Sequence, residues 1–162
     1  MAAFGRHYTL ETEDGQRVQA HARGKRNEAV VGDRVNWNTT QGGGETQAVI
    51  ESVLPRRNLM HRQDLMRTKS FAANLDQVLV LIAAEPEFSE MQLTRALIAA
   101  EAAGIAPLIA LNKSDLVEPF ERAWARLLPY QRMHYGVMPL SLRLSGAVDR
   151  EHLMRHLEGK TT

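Results

Sequence analysis

The chain has 162 residues, 44% hydrophobic and 24% charged, with 20 basic and 19 acidic side chains and no cysteine. This is ordinary globular composition: it excludes disordered and collagen-like classes, leaves room for one large domain or two small ones, and permits neither a disulfide framework nor a thiolate zinc site. No apolar run approaches the roughly 18 residues of a membrane span, and Met1 to Arg6 lacks the apolar core of a signal peptide, so a cytoplasmic protein without a membrane partner is expected.

In chain order, His7 to Glu11, Arg17 to His21, Asp33 to Trp37 and Gln47 to Val53 alternate larger apolar residues with polar ones, the period of half-buried strands. Asp14-Gly15 separates the first two as a hairpin turn should, and Gly42-Gly43-Gly44 reads as a loose loop before the fourth. Four or five short strands in about 60 residues predict an all-β barrel over residues 1–61, an OB-fold or, in competition with it, an SH3-like barrel. Tyr8 and Trp37 are expected in its core rather than as stacking platforms. Residues 62–73 read as a basic linker.

Texture and charge then change. Residues 1–73 carry 11 Lys or Arg against 8 Asp or Glu, and residues 74–162 carry 9 against 11. Strands are predicted at Val78 to Ala84, Pro107 to Leu111 and Val137 to Leu140, alternating with helices at Glu90 to Ala103, Pro119 to Leu128 and Arg150 to Leu157. The first two strands are continuously apolar, as in a parallel sheet covered on both faces, so residues 74–162 form a partial doubly wound α/β unit of three strands and three helices. Ser89 with Gln92 forms a capping box, Leu93, Leu97 and Ala100 share one face, and Gly104 closes that helix. Trp124, Leu128, Met91, Met133, Met138 and Met154 are expected in the core, and His152 and His156, spaced i and i+4, as solvated rather than metal-binding.

The chemistry-bearing pattern is Asn112-Lys113-Ser114-Asp115, directly after the buried strand Leu108-Ile109-Ala110-Leu111. Ligands of open α/β sheets bind beyond the carboxyl ends of the strands. A carboxylate there can accept both N1–H and the exocyclic amine of guanine as a charge-assisted pair, whereas adenine presents an acceptor at that edge. Asn112 can brace the loop or reach the other base edge, and the Lys113 stem can lie over the base. The bland alternative makes Asp115 a helix N-cap. Chance alone would yield this three-residue pattern with roughly 2% expectation. Ser141, after the next strand, is a further candidate, while Leu142 stands where guanine-binding proteins commonly carry a small residue. Gly159-Lys160-Thr161 imitates the end of a phosphate loop, but Met154 stands where its first glycine would be and a helix, not a strand, precedes it. No catalytic residue and no metal ligand set is assigned.

Taken together, Asn74-Leu75-Asp76-Gln77-Val78, Ala99-Ala100-Glu101-Ala102-Ala103-Gly104-Ile105 and Leu111-Asn112-Lys113-Ser114-Asp115-Leu116 resemble the ribosome small-subunit-dependent GTPase A family. Ala22-Arg23-Gly24-Lys25-Arg26, Val31-Gly32-Asp33-Arg34-Val35 and Leu54-Pro55-Arg56-Arg57-Asn58 resemble its OB-fold and the exit from it. The resemblance implies a circularly permuted P-loop GTPase, with residues 74–162 as its amino-terminal half ending before the phosphate loop, so that this stretch alone is not expected to hydrolyse GTP. It implies GTP or GDP as ligand, and magnesium and zinc held by parts of the family that this sequence does not match. It implies the small (30S) ribosomal subunit and its 16S rRNA as partners in late subunit maturation. Base-binding roles pass to Asn112, Lys113, Asp115 and Ser141. RNA contact is expected from Arg23, Lys25, Arg26, Arg56, Arg57 and Arg62, basic clusters able to neutralise phosphates. The alternative is a non-enzymatic RNA-binding fragment with a vestigial guanine site.

Overall fold

Alternating and unbroken apolar texture divide the molecule much as they divide the sequence, into the units Met1–Leu75 and Asp76–Thr162. The computed structural model describes residues 2–4, 7–22, 29–42, 45–63, 68–143 and 148–162.

The first unit contains β1 (Ala2–Phe4), β2 (His7–Glu11), β3 (Arg17–Ala22), β4 (Val35–Gly42), β5 (Glu45–Val53), β6 (Leu59–Gln63) and β7 (Thr68–Ala73). Five of these make one sheet in the order β1-β2-β3-β5-β4, antiparallel except where β3 meets β5. A meander joined in parallel to a second hairpin is the OB-fold arrangement, not the SH3-like one. Period-two burial builds its core: Tyr8 and Leu10 on β2 are buried while His7 and Glu11 are exposed. Ala20, Ala48 and Ile50 complete that core, with Trp37 packed against it. Burial, and secondarily the charge of Asp33, raise the pKa of the Tyr8 phenol. Gly15, at φ +79°, turns the chain between β2 and β3 inside a loop closed by Thr12 N–H donating to Gln16 O at 2.9 Å.

Three distant stretches are sewn together at the end of this unit. The Asp33 carboxylate, its side chain wholly buried, accepts Arg56 Nε at 2.7 Å, Arg56 Nη2 at 2.8 Å and Val30 N–H at 2.8 Å. Asn74, at φ 59°, donates from Nδ2 to Gly32 O at 2.9 Å and accepts Arg57 N–H at 2.8 Å. Asn58 accepts Leu75 N–H at 2.9 Å and donates to Leu75 O at 2.7 Å. Gly32 lies at φ +85°, and a Cβ there would stand 2.1 Å from Ala73 O, so the approach of these strands needs glycine. The pull of Asp33 into this clasp is also why β4 starts at Val35 rather than at Asp33.

The basic linker expected over residues 62–73 is not a linker in its described part. Leu59–Gln63 and Thr68–Ala73 pair antiparallel as a hairpin, with Val31 bridging to Ala72. Its polar composition conceals the strand pattern, because the contacts that fix it come from Val31, Asn58 and Asn74 rather than from its own alternation.

The second unit contains β8 (Gln77–Ala83), α1 (Glu90–Ala102), β9 (Ala106–Asn112), α2 (Val117–Arg132), β10 (Gly136–Leu140) and α3 (Val148–Leu157). Its strands are parallel in the order β10-β9-β8. Alternate residues of β9 serve opposite faces. Ile109 and Leu111 pack with Leu93 and Leu97 of α1 and Ala123 and Leu127 of α2, whereas Leu108 and Ala110 pack with Met138 and Leu140, beside Leu153 of α3. The result is a doubly wound α/β layer with α1 and α2 on one face and α3 on the other. Ser89 caps α1 by accepting Gln92 N–H, and Arg126 of α2 holds the entry to α1 through Glu90 (2.8 Å), Glu87 (3.3 Å) and Phe88 O (3.1 Å).

Four core expectations fail here. Met91, Met133 and Met154 are 64%, 58% and 55% exposed, leaving Met138 as the buried one of the four. Leu128 is exposed, because α2 does not stop at Pro129 but runs to Arg132. A proline near a helix end removes one backbone donor, and burial of Tyr130 draws the last turn onward. Leu128 instead lines an open apolar groove of about 430 Å³ with Phe120, Glu121, Trp124, Ala125 and Pro139. Among the described residues no helix is long and apolar enough to cross a membrane.

Asp33→Ala would leave the Arg56 guanidinium without its carboxylate, and breaking a pair with one partner buried costs about 3–5 kcal/mol. Urea unfolding followed through Trp37 in a Trp124→Phe background should show that loss in the first unit.

Candidate functional site

Two parallel strands that end side by side bring the sequence-predicted residues together. Asn112 is the last residue of β9 and pairs with Leu140, the last of β10. Beyond it the chain must turn sharply, and Lys113 does so at φ 71°. The turn is tied to both neighbouring strands: Ala84 N–H donates to Asn112 O at 3.1 Å and Ser114 N–H to Leu140 O at 3.1 Å. Leu116 N–H closes it on Lys113 O at 3.0 Å.

Side chains then cross from one strand end to the other. Ser141 Oγ donates to Asp115 Oδ1 at 2.9 Å, and Leu142 N–H donates to Asn112 Oδ1 at 3.3 Å. Asn112, Lys113 and Asp115 are half-buried, and Ser141 is 1% exposed. Asp115 is therefore not the N-cap of α2; that place falls to Leu116, which makes no side-chain cap bond. A carboxylate oxygen has lone pairs enough to keep a serine hydroxyl and accept another donor, so the Ser141 contact orients Asp115 without using it up. Leu142 keeps its backbone donor on Asn112 while its side chain is 57% exposed.

One participant is not legible in the sequence. Asp149, in the first turn of α3, accepts Ser141 N–H on Oδ2 at 2.6 Å. A carboxylate in the opening turn of a helix is common for reasons of capping and dipole alone, so its sequence position carries no signal for a site.

The other predicted residues are elsewhere. Arg23, Lys25 and Arg26 lie outside the described residues, as does the side chain of Arg62, whose backbone pairs with Lys69 across the hairpin. Arg56 is committed to the buried Asp33 and is a structural residue rather than a free phosphate contact. Arg57 is exposed, with Nη2 donating to Asn74 O at 2.9 Å. Missed by sequence reasoning is the exposed Phe71, whose ring has Lys69 Nζ 5.9 Å from its centroid.

The Gly159-Lys160-Thr161 segment docks on the start of β8: Lys160 Nζ donates to Gln77 Oε1 at 3.3 Å and Thr161 N–H to Asp76 Oδ2 at 2.8 Å. It is a helix exit and not a phosphate cradle. His152 and His156 stack edge to face at 5.0 Å, and the described residues contain no group of three or more His, Cys, Asp or Glu able to hold a metal ion.

Residues 53–162 match the family described as RsgA GTPase. The chain belongs to the RsgA GTPase family. It is 63% identical over 162 residues to the small ribosomal subunit biogenesis GTPase RsgA of Variovorax paradoxus, covering 100% of this chain and 50% of that protein. It is 47% identical to the protein of the same name from Bordetella pertussis, covering 100% of this chain and 53% of the relative. Among solved structures, YjeQ from Thermotoga maritima superposes with a TM-score of 0.69 at 26% identity, over 98% of this chain and 55% of that one. The chain spans about half the length of the curated relatives it matches, and the likeness to YjeQ agrees with an OB-fold followed by a three-stranded parallel α/β unit.

Ser141→Ala would remove the hydroxyl from Asp115 inside a buried loop. One lost hydrogen bond of this kind should lower the stability of the second unit by about 1–2 kcal/mol, read from urea unfolding followed at Trp124.

Proposed function

We propose that this chain supplies the base-recognising and RNA-contacting portion of a cytoplasmic GTPase that acts in maturation of the small ribosomal subunit. The observation that carries the proposal is the cross-strand arrangement of Asn112, Asp115 and Ser141 at the carboxyl ends of β9 and β10. Asp115 accepts guanine N1–H and the exocyclic amine. Ser141 holds the carboxylate in place, Asn112 braces the Leu142 backbone, and the Lys113 stem covers the base plane. Hydrolysis requires groups that position phosphates and a metal ion. The contribution of the present residues to that reaction is choosing GTP over ATP.

RNA contact belongs to the first unit in this reading. The exposed Arg57 and Lys69 and the Phe71 ring offer cations and an aromatic face suited to 16S rRNA, and Arg23, Lys25, Arg26 and Arg62 add positive charge in the sequence. The basic character of residues 1–73 and the commitment of Arg56 to Asp33 narrow the candidate contacts to these.

Equilibrium dialysis of the chain against GDP, ADP and xanthosine diphosphate tests the base site. GDP should be retained over ADP. Asp115→Asn exchanges one acceptor for a donor, matching the carbonyl that xanthine carries in place of the amine, and should turn the preference toward xanthosine diphosphate; an unchanged order sinks the proposal. For RNA, filter binding across a salt series should give a linear fall of log K with log salt, and Arg57→Ala should shrink the slope by about 1.

A further inference from the structure

Resting on the guanine reading above, we propose that Asp149 is a positioning residue for base selectivity, tying α3 to the loop that orients Asp115. The contacts form one line: Asp149 Oδ2 accepts Ser141 N–H at 2.6 Å, and Ser141 Oγ donates to Asp115 Oδ1 at 2.9 Å. Ser141 is 1% exposed, so its backbone donor must be satisfied inside the protein, and a carboxylate does so more strongly than a neutral acceptor. Asp149 sits where the helix dipole favours a carboxylate, in the opening turn of α3.

The helix that carries it is fixed along its length. Leu153 packs against the cluster of Leu108, Ala110, Met138 and Leu140. Near its far end, Gln77 Nε2 donates to His156 O at 2.8 Å and to Thr162 Oγ1 at 2.9 Å. Asp149 is therefore a fixed acceptor on a registered helix. Without it the Ser141 peptide loses this anchor, the hold of its hydroxyl on Asp115 loosens, and the two carboxylate oxygens lose the orientation that paired donors require. The cost falls on guanine, which presents two donors to that carboxylate, and not on adenine.

The test is a nuclear magnetic resonance titration of the ¹⁵N-labelled chain with GDP and, separately, ADP, read at the Ser141 and Leu142 amides. Asp149→Ala should displace both amides in the nucleotide-free chain and raise the GDP midpoint about tenfold, the effect of one charge-assisted hydrogen bond, with any ADP response unmoved. Asp149→Asn keeps an acceptor and should recover most of the GDP response. Gln77→Ala should lower the melting temperature while leaving the loop amides and the GDP midpoint in place, which separates positioning by Asp149 from mere stabilisation of α3. Should Asp149→Ala fail to fold, Asp149→Glu keeps the first-turn charge but moves the carboxylate by one methylene, and the same rise is expected. A wild-type GDP midpoint in folded Asp149→Ala, or in Asp149→Glu where the alanine variant fails to fold, or equal weakening by Gln77→Ala, overturns the positioning role alone. A wild-type chain silent to GDP overturns the guanine reading itself.

Discussion

Leu108 to Leu111 are buried because β9 runs between two parallel neighbours and under helices on both faces. That burial decides where polar side chains can stand. A strand with no solvent-facing side can place polar residues only at its ends, and parallel neighbours end on the same side of the sheet. Asn112 meets Leu140 and the Leu142 N–H for this reason although they are far apart in sequence, and Asp115 is carried back toward Ser141 by a turn whose first residue takes φ 71°. The hydrophobic term that stabilises the sheet is thus also the term that assembles the site.

The first unit has a different organising interaction. Asp33 is a carboxylate without solvent, stabilised by a bidentate guanidinium and a backbone N–H. Such a pair contributes little net stability against an apolar replacement, but it is intolerant of losing one member. Its effect here is geometric. With Asn58 and Asn74 it joins Val30–Asp33, Arg56–Asn58 and Ala73–Leu75 into one knot. These segments carry much of the sequence resemblance to the family, and each has a physical reason for its residues. Asp33 is a buried acceptor, Asn74 takes a left-handed turn, and Gly32 lies against a carbonyl.

How much of this is readable from sequence depends on whether the signal is local. Strand β2 and helix α1 are legible because burial follows a fixed period within each, and β8 and β9 because their apolar runs are unbroken. The loop after β9 is legible because Asn112, Lys113 and Asp115 are adjacent to the strand that positions them. The hairpin Leu59–Gln63 with Thr68–Ala73 is not, since its polar sequence gains its shape from Val31, Asn58 and Asn74. Arg56 looks like a phosphate contact because its partner Asp33 is 23 residues earlier. Asp149 is invisible for the same reason: its partner is a backbone N–H, which no sequence displays.

Affinity and selectivity for a nucleotide separate along such a fold. Phosphates carry most of the charge and are common to every nucleotide, so groups that bind them raise affinity without choosing the base. The choice rests on the base edge. Two hydrogen bonds to a charged acceptor are worth about 1.5–3 kcal/mol each, and adenine would both forfeit them and set an acceptor against the Asp115 carboxylate. That difference is large only while the carboxylate is held still, because a mobile one can turn away from the clash and loses entropy on meeting the correct partner. The hydroxyl of Ser141, a residue whose backbone N–H is held at 2.6 Å by Asp149, supplies that restraint. On the proposed reading, discrimination between guanine and adenine is therefore a property that residues 112–149 can carry as a unit, independently of how tightly the phosphates are held.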